Sequence, residues 1–481
     1  MLTYRPGAGA RIAHPTPRRT VESVSTPARS ERLVLVSLAL LTTVTAIVSS
    51  LGAPLVPAIA AQYDVALGDA QWALTAALLC GAVTTPLVGR LGSGRLRRPV
   101  ILGGLLVVMA GTALSALPLG FAVLVAGRAM QGVGMALVPL AIATARDAIA
   151  PDRLASAVAL LSVTTVAGAG LGYPVTAVVA DLGGLPLAYA LGTVLTSLTL
   201  VMAWRYVPGR PGEEPAHVDV VGAGLVGAGM VATLLAVSQG ESWGWASPRT
   251  LVVGALGLLV LGGWLAWSLR TPRPLVDLRL AVRPGLAGPN LVAFAAGIGM
   301  YTLLTLVVVV VQAEPHDGFG LGLPVAVAGL MLVPYSLMSV AGSRLAQSVS
   351  RRWGTGLLLP TGCGLFLAAT LLLAVRHDHL AELIAWMALG GLGSGFTFSS
   401  LAVLMVPHVP RSETGSAVAF NQVLRYLGFS VGSSLSIALS EIYGDGERGF
   451  RGSLLTLSSV WVAAAIGTSL LARRTSPTIP T

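Results

Sequence analysis

From Leu33 to Leu471 the chain alternates between long apolar runs and short polar breaks. The runs lie near 33–56, 70–89, 99–117, 119–142, 155–180, 184–205, 219–239, 250–269, 286–311, 323–343, 355–375, 381–405, 414–440 and 452–472. A helix needs about 20 apolar residues to cross about 30 Å of hydrocarbon. Backbone groups in lipid must be paired internally, in helices or in a closed barrel, and the every-second-residue alternation of a barrel strand is missing here. The pattern predicts an all-α integral membrane protein with about 14 transmembrane helices. The first run is longer than a signal-peptide core of about 7–15 residues and reads as an uncleaved span.

The polar breaks carry the charge. The chain has 30 basic and 20 acidic residues and a net charge of +10, and its basic residues are all arginine. With the N-terminus in the cytoplasm and sides alternating, the outer breaks collect Arg249, Arg376, Arg448 and Arg451. Every other arginine outside the spans falls inside, from Arg90, Arg95, Arg97 and Arg98 to Arg473 and Arg474. This is the positive-inside pattern, and it places both termini in the cytoplasm. The arginine-only, Ala-, Gly- and Val-rich composition points to a bacterial inner membrane. Orientation in the bilayer accounts for the basic charge, and no basic-aromatic face suits a nucleic acid. Residues 1–31 read as a disordered basic tail and 473–481 as a short cytoplasmic tail.

The chain also repeats itself. Arg90-Leu91 followed by Arg97-Arg98 is echoed by Arg344-Leu345 followed by Arg351-Arg352. Ser156-Ala157-Val158-Ala159 returns as Ser416-Ala417-Val418-Ala419, and in that register Gly168 matches Gly428 and Gly172 matches Gly432. Two six-helix halves follow, over 32–206 and 285–472, with two linker helices and their flanking loops over 207–284. Repeated halves are a transporter architecture, with the substrate bound between them near the bilayer midplane.

Two charges, Arg128 and Arg425, stand well inside spans. An arginine there costs about 2.5–3.5 kcal/mol on insertion scales, so function is the first hypothesis; the plainer reading is an arginine bonding nearby carbonyls. Gln131 and Asn421 share helix faces with them and either line a polar cavity or bond between helices. Thr45 and Ser49 supply polarity to the first helix. No acid lies deep in a span; Asp181, Glu382 and Glu441 fall near outer ends. Cys80 and Cys363 read as small apolar packing residues. His377 and His379 read as solvated loop residues, and no metal or cofactor is implied.

Four stretches together resemble the major facilitator superfamily, in particular its fourteen-helix drug:proton antiporter branch. GRLGSGRLRR resembles the loop motif between helices 2 and 3, with Gly89, Leu91, Arg97 and Arg98 matching and Ser93 where an acid is usual; Arg90 lies within it. GRAMQGVGMA matches the helix 4 motif through Arg128, Gln131, Gly132 and Gly134. GAGLGYPV resembles the helix 5 antiporter motif through Gly168, Gly172 and Pro174, with Tyr173-Pro174 where Gly-Pro is usual. PLVDLRL and ETGSAVAFNQVLRYLG are typical of this branch. The resemblance implies an exporter of small amphiphilic compounds that works as a monomer, by alternating access and proton antiport. It implies proton coupling at Arg128; from the residues themselves, Asp181 or Glu441 is the candidate carrier, and Thr45, Ser49, Gln131, Tyr173, Asn421 and Arg425 are the candidate substrate-cavity residues. A uniporter or importer of the same fold is the alternative, ahead of a membrane sensor; no nucleophile–base pair supports an enzyme.

Overall fold

Each predicted apolar run lies on a helix in the computed structural model, which describes residues 28–51, 55–65, 67–70, 72–209, 218–315, 319–444 and 446–475. Most of the 1–31 tail and the end of the 473–481 tail fall outside the described residues. The long helices are α1 (Ala28–Ser50), α2 (Trp72–Leu91), α3 (Arg97–Ala116) and α4 (Phe121–Ala148). Pro151–Tyr206 follows as α5 (151–182) and α6 (185–206), divided at Gly183–Gly184. Gly184 takes φ +69°, a left-handed conformation that favours glycine and turns the chain there. Then come α7 (Val220–Trp243), α8 (Pro248–Arg270), α9 (Pro284–Gln312) and α10 (Leu332–Trp353). The series ends with α11 (Leu358–Val375), α12 (Leu380–Met405), α13 (Thr414–Tyr443) and α14 (Glu447–Thr475).

The same pairings build both halves. In the first, α1 packs on α5, α2 on α4 and α3 on α6; in the second, α9 packs on α13, α10 on α12 and α11 on α14. The matched glycines do matched work. A Cβ on Gly168 would lie 2.7 Å from the Thr43 carbonyl oxygen of α1, and one on Gly428 would lie 2.3 Å from the Phe294 carbonyl oxygen of α9. Both remove a side chain so that two backbones can touch, which is how helices associate where lipid offers no hydrophobic drive. Thr42 and Thr164 add a hydroxyl pair at 2.8 Å between α1 and α5. Phe366 and Trp461 stack at 4.4 Å between α11 and α14.

Eleven helices among the described residues are long and apolar enough, by length and composition, to cross a membrane. α5, α10 and α13 are helical as well. They stand at the seam between the halves: α5 meets α10, and α13 meets α2 and α4.

The inserted pair α7 and α8 packs together, with α7 against α2 and α13. Buried Asp219 organises this corner. Its carboxylate caps α7 by accepting from the Gly222 amide at 2.8 Å, and it accepts from Trp267 Nε1 of α8 at 3.1 Å.

Candidate functional site

Arg128 lies on α4, fully buried. Its guanidinium donates to the Val48 and Ser49 carbonyls at 3.0 and 3.1 Å, to the Ala73 carbonyl at 2.9 Å, and to Gln131 Oε1. Val48 and Ser49 end α1, where carbonyls lack helical partners and the helix end is electronegative. Gln131 completes the set by donating to the Gly111 carbonyl at 3.2 Å and Ser115 Oγ at 3.0 Å, both on α3. One arginine and one glutamine therefore tie four helices of the first half. Thr45 is buried as well, bonded to the Leu41 carbonyl at 2.7 Å, and Ser49 bonds to the Thr45 carbonyl at 2.8 Å. The polar atoms of Gln131 and Thr45 thus bond inside one half, as burial demands. Asp181 is exposed near the far end of α5. The side chains of Tyr173 and Glu441 lie outside the described residues.

Asn421 on α13 is likewise internal. It donates to the Pro289 carbonyl at 3.1 Å and Asn290 Oδ1 at 3.0 Å, fastening α13 to α9. His377 departs from its solvated reading: it is buried, with Nδ1 3.1 Å from the Leu373 carbonyl oxygen and its ring beside Phe319 and Phe450.

The two halves meet at the arginine-rich ends of the helices. Arg90 Nη1 bonds both carboxylate oxygens of Glu413 at 2.6 Å, joining α2 to the residue before α13. Arg146, at the end of α4, donates to the Val409 carbonyl at 2.7 Å and Thr414 Oγ1 at 2.5 Å. Gly89 lets these ends touch, since a Cβ there would lie 2.7 Å from that of Ala419. Other members of the loop motif brace the first half from within. Arg97 bonds Asp147 and the Gly92 carbonyl, Arg98 bonds the Trp204 carbonyl at the end of α6, and Ser93 bonds the Gly89 carbonyl. The usual acid is thus replaced at Ser93 by a local bond, and charge crosses the seam through Arg90 and Glu413. The echo in the second half, Arg344, Arg351 and Arg352, is exposed.

A deeper bond crosses the seam in mid-helix. Pro139 has no amide hydrogen to give the Met135 carbonyl one turn earlier, and α4 tightens into a 3₁₀ turn over Val133–Leu137. Gln422 Nε2 of α13 fills that vacancy at 2.7 Å and also bonds the Tyr426 hydroxyl. The Tyr426 hydroxyl in turn reaches the Arg425 guanidinium.

Arg425 sits in an aromatic cage. Its Cζ lies 5.1 Å from the ring centre of Phe398, 5.8 Å from Tyr426 and 6.0 Å from Phe429. Tyr301 of α9 stacks on Phe429 at 4.6 Å. Cation–π contacts contribute from about 0.5–1 kcal/mol when exposed to about 2 kcal/mol when desolvated. Three rings are therefore enough to offset an insertion cost of about 2.5–3.5 kcal/mol. They do not satisfy its hydrogen bonds: Arg425 Nε is buried without a partner, as is Ser336 Oγ, while the Tyr335 hydroxyl pairs with Ser394. The sequence reading found Arg425 but missed its rings: Tyr426 and Phe429 follow one and four residues on along α13, while Phe398 comes from α12 and Tyr301 from α9. It also missed Glu413 as the acid facing Arg90, although Glu413 opens the quoted helix 13 motif.

The family profile described as Major Facilitator Superfamily matches residues 38–287 and 289–481. The chain is 29% identical over 403 residues to the probable actinorhodin transporter of Streptomyces coelicolor, covering 78% of this chain and 66% of that protein, just under two thirds of its length. It is 27% identical over 406 residues to a cephamycin export protein of Amycolatopsis lactamdurans, covering 82% and 81%. Among solved structures, the human organic anion transporter MFSD10 superposes with a TM-score of 0.64 at 16% identity, covering 91% of this chain and 99% of that one. The proton:xylose symporter XylE superposes with a TM-score of 0.65 at 14% identity, covering 92% and 95%. At these identities the structural likeness is one of fold. Paired six-helix bundles, the arginine loop at their seam and a profile match across nearly the whole chain converge: the chain belongs to the Major Facilitator Superfamily of membrane transporters.

Proposed function

We propose that this protein is a secondary exporter of small amphiphilic compounds in the bacterial inner membrane, acting as a monomer by alternating access. The arginine-rich face is cytoplasmic, fourteen helices cross, and both termini lie inside. The observation that carries this reading is the seam: Arg90–Glu413, Arg146–Thr414 and Gln422–Met135 close the halves on that face. The Arg425 cage adjoins that seam through Tyr426 and Gln422. Contacts of a few polar atoms can be broken and remade as two rigid bundles rock, as alternating access requires. Export is supported by relatives named for antibiotic transport and export. Proton antiport comes from the family resemblance, with Arg128 holding the first half in the geometry that coupling needs and Asp181 as the carrier to be tested.

The test is transport by purified protein in liposomes with an internal pH-sensitive dye and an imposed proton gradient. A panel of antibiotics and dyes of differing charge is added. Proton movement on addition of a compound, lost in Asp181→Asn, supports antiport through that group. Proton movement that persists in Asp181→Asn removes Asp181 from the pathway. Uptake of a compound without proton movement assigns a uniporter instead.

A further inference from the structure

We propose that the Arg425 cage binds a planar aromatic anion, a carboxylate or phenolate carried on the ring system. The inference rests on the transporter reading and names the substrate class of its site. Three observations carry it. First, the cage holds a cation without a counter-ion: among the described residues Arg425 makes no ion pair, and its neighbours are Phe398, Tyr426, Phe429 and Tyr335. Second, its hydrogen-bonding capacity is unspent. Arg425 Nε is buried without a partner, near the paired hydroxyls of Tyr335 and Ser394. Guanidinium only donates, so the group Arg425 lacks is an acceptor, best a charged one. Third, the walls are flat. Phe429 and Tyr301 stack with an interplanar angle of 29°, a flat aromatic surface of the kind a planar ring packs against.

These features select by class. An aromatic cation would enter against Arg425 with no carboxylate in the cage to receive it. An aliphatic anion would meet the donors but forgo the ring faces. Sugars and other uncharged polyols would leave the guanidinium unpaired. The site also connects to the seam: Arg425 meets the Tyr426 hydroxyl, Tyr426 meets Gln422, and Gln422 holds the Met135 carbonyl of the other half. An anion that draws the guanidinium away competes with that chain, so occupancy loosens a bond that closes the halves.

Binding of three matched probes to the purified full-length protein in detergent tests this: 2-naphthoate, neutral 2-naphthol and 2-naphthylmethylammonium, by calorimetry with empty micelles subtracted. Naphthoate is expected to bind about tenfold or more tighter than the ammonium probe. Arg425→Gln is expected to erase that preference while naphthol affinity changes less than about threefold. Phe429→Leu is expected to weaken naphthoate and naphthol together and keep the preference. Should Arg425→Gln fail to fold, Arg425→Lys keeps the charge but not the planar fork, and is expected to weaken naphthoate alone. Equal binding of naphthoate and the ammonium probe by the wild-type protein overturns the proposal, as does an undiminished preference in Arg425→Gln or unchanged naphthoate binding in Arg425→Lys. Binding is read without transport, so the two readings separate. Liposomes that export dyes while the protein shows no anion preference sink the cage and leave export standing; an anion preference in a protein that moves nothing does the reverse.

Discussion

Replacing Glu413 by glutamine removes the charge that Arg90 holds across the seam. The cost can be worked from the geometry. Arg90 Nη1 lies 2.6 Å from both carboxylate oxygens, and the two side chains are 10% and 27% exposed. A fully exposed pair contributes about 0.2–1 kcal/mol, and a buried hydrogen bond to a charged group about 1.5–3 kcal/mol. Partial exposure of Glu413 places this pair between them, at about 1–2 kcal/mol. That is a factor of about 5–30 in the ratio of closed to open seam. The measurement is single-molecule energy transfer between dyes at Arg95→Cys and Ser412→Cys, both exposed positions, after Cys80→Ser and Cys363→Ala. Glu413→Gln is expected to raise the separated population by that factor. A cycle with Arg90→Gln is expected to return a coupling of about 1–2 kcal/mol. If the double variant shifts the population by the sum of the two single shifts, the pair does not hold the seam and the argument from its geometry is wrong.

Other outcomes follow from other contacts. Arg128→Ala leaves the carbonyls of Val48, Ser49 and Ala73 without their donor and is expected to cost about 2–4 kcal/mol, read as lowered thermal stability in detergent; unchanged melting would remove its structural role. Gly170→Ala drives a Cβ to 2.7 Å from that of Ser336, so α5 and α10 are expected to part at about 1–3 kcal/mol. Ser336→Gly in the same chain is expected to restore closure by the energy-transfer assay, and no rescue would mean the two helices do not meet there. Asp219→Ala strips the α7 cap and the Trp267 bond, and about 1–3 kcal/mol of stability is expected to go with them; faster proteolysis around 271–283 is the check.

Length and hydropathy alone determined that this chain is a bundle of membrane-crossing helices, because a backbone in lipid has few ways to pair its own polar groups. Charge in the breaks determined a topology to test, and the repeated glycines pointed to paired halves. Those signals are local: each can be read from one run or from two runs in register. Tertiary structure decided what the singular residues do. Arg128 and Gln131 stood out as costly in a membrane, yet their use as ties among α1, α2, α3 and α4 depended on which carbonyls lay within reach. Glu413 was visible in a motif, but its facing Arg90 across more than three hundred residues was not. Pro139 offers the Met135 carbonyl no amide, and only the packing of α13 supplied Gln422 to bond it. Tyr426 and Phe429 lie beside Arg425 along α13, but Phe398 and Tyr301 come from other helices and meet them only in the fold. Periodicity records how one helix meets its solvent; a site between helices is set by side chains distant in sequence, and those meet only when the bundle closes.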